Sequence, residues 1–170
     1  HVNITTSPGR VINSLQADVQ FGDEIDFANA RKATGVSATF SATLHPGDHL
    51  TVSATASTRS LHVKDATLGS GRLFLAQIER VRASYSFNSR SFVRMVGQYV
   101  QTDRDPALYL RFRPAKDAGF DFSGLFAYKL DWQTVLYLGY GDQRTQSGIT
   151  DRLELKGQQA FAKVSYAWQI

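Results

Sequence analysis

The stretch Gln159-Ala-Phe-Ala-Lys-Val-Ser-Tyr-Ala-Trp-Gln-Ile170 decides the fold. Ala160, Ala162, Val164, Tyr166, Trp168 and Ile170 fall on one side of an extended chain, and Gln159, Lys163, Ser165 and Gln169 on the other. Such alternation marks a β-strand with one apolar and one polar face. The strand is long against the about five or six residues usual in soluble proteins. It matches the roughly 9–11 residues of a tilted strand that crosses a bilayer. Tyr166 and Trp168 stand together toward one end, where an interfacial aromatic girdle would sit. The alternative for this stretch alone is the edge strand of a soluble β-sandwich.

The same alternation recurs upstream. It predicts strands over 10–21, 35–44, 50–62, 73–87, 91–102, 119–130 and 134–143, with 159–170 as the eighth. Residues 1–9 read as a lead-in containing Pro8 and Gly9. Residues 45–49, 88–90 and 131–133 read as short turns, and 22–34, 63–72, 103–118 and 144–156 as long loops, with 109–112 extending a strand. Short turns on one side and long loops on the other is the pattern of bacterial outer-membrane barrels, whose short turns are periplasmic. Hairpin pairing predicts Phe40 opposite Ala54, Ser84 opposite Arg94, Arg80 opposite Gln98, and Leu125 opposite Gly139.

Composition agrees with this reading without requiring it. The hydrophobic fraction of 170 residues is 42%, and half of each barrel strand faces a polar interior, which dilutes the average. No run of about 18 apolar residues exists, so a membrane helix is excluded. The absence of cysteine excludes disulfides and thiolate chemistry. A net charge of +4, spread along the chain, makes no case for nucleic acid. No signal peptide is visible and the sequence starts at His1, which reads as a mature form or a fragment.

The apolar faces should point to lipid and the polar faces inward, because an arginine facing lipid at the midplane costs roughly 2–4 kcal/mol. The inward set is then Arg59, Arg80, Arg82, Arg94, Lys129 and Lys163, opposed only by Asp18 and Asp121. Arg82 and Arg94 become diagonal neighbours with Asp121 the nearest inward carboxylate, which suggests a salt-bridged plug or, failing that, an anion site. Phe87, Tyr128, Tyr166 and Trp168 form the girdle. Three chemical readings are weaker than their bland counterparts. His45 and His49 could share a metal on a helix, but Pro46-Gly47 forbids one. Ser60, His62 and Asp65 lack an orienting partner for a hydrolytic triad. Asp103, Asp105 and Asp117 could bind a cation but read as ordinary loop charges. No catalytic residue, cofactor or metal is expected.

Three segments resemble one family: Asn88-Ser-Arg-Ser-Phe-Val-Arg94 with Gln98-Tyr99, Leu125-Phe-Ala-Tyr-Lys-Leu-Asp-Trp-Gln-Thr-Val135 with Leu138-Gly-Tyr-Gly-Asp142, and Phe161-Ala-Lys-Val-Ser-Tyr-Ala-Trp168. They are similar to the C-terminal domain of unknown function that follows a family-9-type carbohydrate-binding module in Gram-negative outer-membrane proteins. The resemblance covers roughly the last half of the chain. It implies a β-barrel in the outer membrane, and leaves open that this chain ends a longer polypeptide with upstream strands and a carbohydrate-binding module. That family supplies no catalytic residues. A chain ending on an aromatic strand also resembles the signal read by the barrel-insertion machinery. The expectation is one domain over 1–170, an antiparallel transmembrane β-barrel of about eight strands or the C-terminal part of a larger barrel. It would be structural or transport-related and would contact outer-membrane lipid. A barrel-embedded lipid-acting enzyme and a soluble ligand-binding β-barrel remain open.

Overall fold

The structure is a computed structural model, which describes residues 1–27, 29–65, 69–146 and 152–168. The described residues form nine strands: β1 Val2–Thr6, β2 Ile12–Asp26, β3 Arg31–Gly47, β4 Leu50–Asp65, β5 Gly69–Asn88, β6 Ser91–Arg104, β7 Lys116–Lys129, β8 Thr134–Gln146 and β9 Glu154–Tyr166. One 3-10 turn, Pro106–Leu108, interrupts the connection from β6 to β7. The strands form a single sheet in chain order, every neighbouring pair antiparallel.

Eight strands were expected and nine are present. The added one is β1, where a lead-in was expected; Val2, Ile4 and Thr6 pair with Val19, Ala17 and Leu15. Most of the long loops are also absent. Strands β2 to β8 run on through charged residues at that end, and only 105–115 remains as a long connection among the described residues. Alternation of apolar and polar residues stops there, but backbone pairing does not depend on it. Residues 109–112 lie in this connection and extend no strand. Strand β9 spans 154–166 instead of 159–170; Trp168 follows it, and residues 169 and 170 lie outside the described residues.

Two of the tight turns use one device. Asn88 Oδ1 accepts from the backbone of Arg90 (2.8 Å) and Ser91 (3.0 Å) and from the Ser91 hydroxyl (3.1 Å). Asp131 accepts from the backbone of Gln133 (2.8 Å) and Thr134 (2.7 Å) and from the Thr134 hydroxyl (3.1 Å). A short acceptor side chain that bonds its own backbone two or three residues on closes such turns. These turns set the predicted registers: Ser84 faces Arg94, Arg80 faces Gln98, and Leu125 faces Gly139. The third turn shrinks to Asp48-His49, so Phe40 faces Ala56 and not Ala54.

The register keeps every apolar face on one side of the sheet. Along β3 this face carries Val36, Ala38, Phe40, Ala42 and Leu44; along β9 it carries Ala160, Ala162, Val164 and Tyr166. Its large side chains are exposed, among them Phe21 at 68% and Val164 at 63%. This apolar band does not run straight across the strands. Its loop-side limit is Val36 on β3 and Ala160 on β9. Pairing carries Ala160 back through Tyr140, Gly124, Met95, Ala83 and Val52 to Leu44, not to Val36. With about 3.3 Å per residue and about 4.8 Å between strands, a slide of about eight residues over about six strands tilts the strands by roughly 40° from the normal to the band. Closed barrels tilt their strands by roughly 35–45°.

The sheet is open. Strand β2 gives its free edge to β1, and no ladder joins β1 or β2 to β9 among the described residues. Because nine consecutive strands alternate in direction, β1 and β9 run the same way.

Candidate functional site

The polar face is the candidate site. Arg59, Arg80, Arg82, Arg94, Lys129, Lys163, Asp18 and Asp121 all fall on it, as the alternation predicts. Arg80, Gln98, Asp121 and Gln143 form one row across β5, β6, β7 and β8. Arg82 lies one row toward the turns, opposite Val96, and Arg94 one row further, opposite Ser84. The expected salt bridge does not form: no described carboxylate lies within ion-pair distance of Arg80, Arg82 or Arg94. Asp121 is two strands from Arg80, about 10 Å along the row at ordinary strand spacing. Arg94 instead sets its guanidinium 5.7 Å from the Phe92 ring centroid.

The expected count of inward acids was too low. Glu24, Asp26 and Asp117 also occupy this face, because β2 and β7 extend through residues read as loop. Each has an arginine: Arg59 with Glu24, Arg31 with Asp26 at 2.9 Å, and Arg104 with Asp117. Glu24 reaches Arg59 across the intervening strand by lying over Gly35, where a Cβ would come within 2.1 Å of its Oε1. The signal available in the sequence was phase. Gln20, Gly22, Glu24 and Asp26 continue the two-residue period of the polar face past the last clear apolar partner.

At the same end an apolar cluster closes the face. Ala33, Leu61, Val63, Leu73 and Leu108 are buried together, with Phe74 and Tyr109 against them. The connection 105–115 supplies Leu108 and crosses to the β2–β3 turn, where Leu110 N donates to Asn29 Oδ1 at 3.5 Å. Asp105 N donates to the Leu73 carbonyl at 3.1 Å, and the Tyr109 hydroxyl to the same carbonyl at 3.4 Å. Burial pushes the Tyr109 phenol up, partly offset by Arg104.

Nearer the turns the polar face holds two adjoining cavities of about 530 and 260 Å³ that share Val96, Ser123, Gly141 and Gln159. The larger is lined by Arg80 on β5 and Gln159 on β9, so the sheet curls around this face. Glycines form the floor under β9. A Cβ on Gly139 would come within 2.1 Å of the Phe161 ring, and one on Gly141 within 3.3 Å of the Gln159 side chain. Gly139 and Gly141 therefore relieve crowding from side chains that lie flat over β8, as their spacing suggests.

The girdle residues gather at the turn end and are exposed. Phe87 meets Tyr85 edge-on at 5.0 Å, and Tyr166 meets Trp168 likewise at 6.0 Å. Ala167 N donates to the Gln133 carbonyl at 2.9 Å and the Tyr166 hydroxyl to its side chain at 3.1 Å, which ties the chain after β9 to the turn before β8. Tyr128 belongs to the same face of β7. At the opposite limit of the band Asp142 holds Arg144 at 2.9 Å and Gln158 at 3.0 Å.

Of the residues weighed for other chemistry, His62, Asp103 and Asp105 line one open pocket with Arg72 and Arg104, and the others lie apart. Among the described residues no three metal-capable side chains converge. His49 packs its ring 6.3 Å from Tyr85. Ser60 and His62 lie on the outward face of β4, while the Asp65 side chain lies outside the described residues. Asp103 accepts from Gln101 at 2.7 Å, Asp105 caps the 3-10 turn through Ala107 N at 3.1 Å, and Asp117 holds Arg104. Comparison with protein-family models, with curated proteins and with solved structures finds no match.

Proposed function

We propose that this chain forms part of the wall of a bacterial outer-membrane β-barrel, structural or transport-related and without catalysis. The apolar face meets lipid and the polar face lines water. The observation that carries this reading is the continuous, exposed apolar band that slides across the sheet at a barrel-like tilt. Its span on β3, Val36 to Leu44, is about 26 Å along the strand and about 20 Å in height at that tilt, and side chains at either limit extend it toward the about 25 Å apolar band of such barrels. A soluble sandwich would hide this face against a second sheet.

The two open edges bear on how the wall is completed. Unsatisfied backbone groups in lipid cost several kcal/mol each, so both edges need partners. Direct pairing of β1 with β9 would be parallel, since both run the same way. Closure by antiparallel pairs alone takes an odd number of further strands. A second copy joined antiparallel at β9 would stand inverted, with its girdle at the wrong interface. Further strands of the same polypeptide are therefore the partner we favour, in line with the family resemblance of the last half of the chain.

Spin labels at Val164 and Ala83, both on the apolar face, test the reading in reconstituted vesicles. Relaxation by lipid-soluble oxygen is expected at both. Stronger relaxation by a water-soluble nickel chelate, or a folded monomer in buffer without detergent, would overturn it.

A further inference from the structure

The arginines of the polar face divide into two groups. Arg31, Arg59 and Arg104 each hold a carboxylate. Arg80, Arg82 and Arg94 hold none among the described residues and stand in successive rows of β5 and β6. Neighbouring positions on one strand face are about 7 Å apart, and diagonal neighbours across a pair about the same. Three cationic side chains anchored in successive rows repel one another, and an anion among them relieves that repulsion. A guanidinium fork also matches phosphate, sulfate or carboxylate oxygens in a bidentate manner.

The surroundings form a groove, which a bare charge cluster would not. Arg80 and Arg94 each line one of the two adjoining cavities; Arg82 lines neither but stands opposite Val96, which both share, and Gln98, Gln143 and Gln159 add amides along the floor and far wall. Phe161 offers a ring beside Arg94's cavity. Asp121 lies at the other side of Arg80's row and repels negative charge there. The groove is thus cationic on β5–β6 and neutral to acidic on β7–β9.

We infer that Arg80, Arg82 and Arg94 form the anion-recognising wall of a groove that takes a small soluble solute. Its phosphate-, sulfate- or carboxylate-type group faces the arginines, and its uncharged polar part faces Gln143 and Gln159. The inference rests on the proposed function only in taking the polar face to meet water. Anionic lipid headgroups share the chemistry but belong on the opposite face.

Arginine footprinting on the protein folded in neutral-detergent micelles tests it. Phenylglyoxal labelling is followed residue by residue by mass spectrometry, at low ionic strength, with inorganic phosphate as the probe. Without phosphate, Arg80, Arg82 and Arg94 label faster than Arg59 and Arg104. Phosphate at about 10 mM slows the three by about ten-fold, the occupancy of a site with a Kd of about 1 mM, and leaves the turn residue Arg90 unchanged. Equal protection of Arg90, or none at the three, overturns the inference. A second arm replaces phosphate by vesicles of phosphatidylglycerol or of phosphatidylcholine; protection by phosphatidylglycerol but not by free phosphate overturns it in favour of a headgroup. Arg82→Gln should abolish phosphate protection at Arg80 and Arg94, and the unmutated footprint decides the matter if that variant does not fold. Labels at Val164 and Ala83 report the lipid face separately, so failure here leaves the membrane reading standing, and the reverse holds.

Discussion

The loop end and the turn end of this sheet are built on opposite terms. At the loop end the polar face carries acids and arginines in pairs, and Leu108 of the 105–115 connection seals an apolar cluster over them. At the turn end the arginines of that face stand without acids, glycines open a groove beside them, and the aromatics of the other face lie exposed. Stability by internal packing is thus concentrated at one end. On the proposed function and the inference drawn from it, the other end depends on its surroundings: lipid outside and an anion within.

The largest effect is expected in the loop-end cluster. Leu73 is 1% exposed, and Leu73→Ala should cost about 2–5 kcal/mol through lost transfer energy and the cavity left behind. Urea unfolding in detergent measures it. A change below about 1 kcal/mol, the size expected of surface sites, would mean that the cluster adds little and that the contrast between the ends is false.

Next comes the apolar band. Met95 is central in it, whereas Thr58 shares its face but stands at the loop-side limit of the band. In lipid vesicles Met95→Arg should cost about 2–4 kcal/mol and Thr58→Arg about 0–1. Equal costs at both positions would remove the band's boundary and, with it, the strand tilt.

A smaller effect tests the charge pairing. Gly35→Ala puts a methyl where Glu24 passes on its way to Arg59. The pair is half-exposed, so stability should change by less than about 1 kcal/mol. The labelling rate of Arg59 by phenylglyoxal should nevertheless rise to that of Arg80. An unchanged rate would show that the carboxylate does not shield the paired arginine.

These contrasts also mark what the sequence could carry. Alternation from 73 to 102 and from 119 to 143 placed Arg80, Arg94, Asp121 and Gly139 on the correct face, and the Asn88 and Asp131 turns fixed their partners. The turn end was legible because an apolar face against a polar one leaves a clear period of two. The loop end was not, because charges occupy both faces there: Asp23 and Lys32 point to one side while Glu24 and Arg31 point to the other. Alternation then has no contrast to display, although the ladder continues. The absence of acids near Arg80, Arg82 and Arg94 was equally hidden, since same-row neighbours two strands apart need a structure to be seen. Strand β1 is short, lacks a tight turn to β2 and is exposed throughout, so nothing local announced it.

The smallest effect separates the two matched turns of the turn end. Asn88 and Asp131 make the same set of hydrogen bonds, yet only Asp131 titrates. The Gln133 amide, joined by the Thr134 amide and hydroxyl, holds the Asp131 carboxyl below its ordinary value, although desolvation opposes them and outweighs either Thr134 bond alone. A carboxyl whose value is lowered by folding stabilises the fold above its unfolded value, near 4. That contribution is lost as pH falls through the folded value, because the unfolded chain takes up its proton first. The β7–β8 hairpin should therefore weaken as pH falls below about 4, while the β5–β6 hairpin, closed by Asn88, should not share this dependence. Asp131→Asn keeps the acceptor oxygen and removes the titration, so it should flatten part of the acid fall in the urea midpoint. Asn88→Asp should transplant the dependence to the other turn. Superimposable pH profiles for the native chain, Asp131→Asn and Asn88→Asp would show that these bonds do not discriminate the charged form, and that the two turns are equivalent in kind.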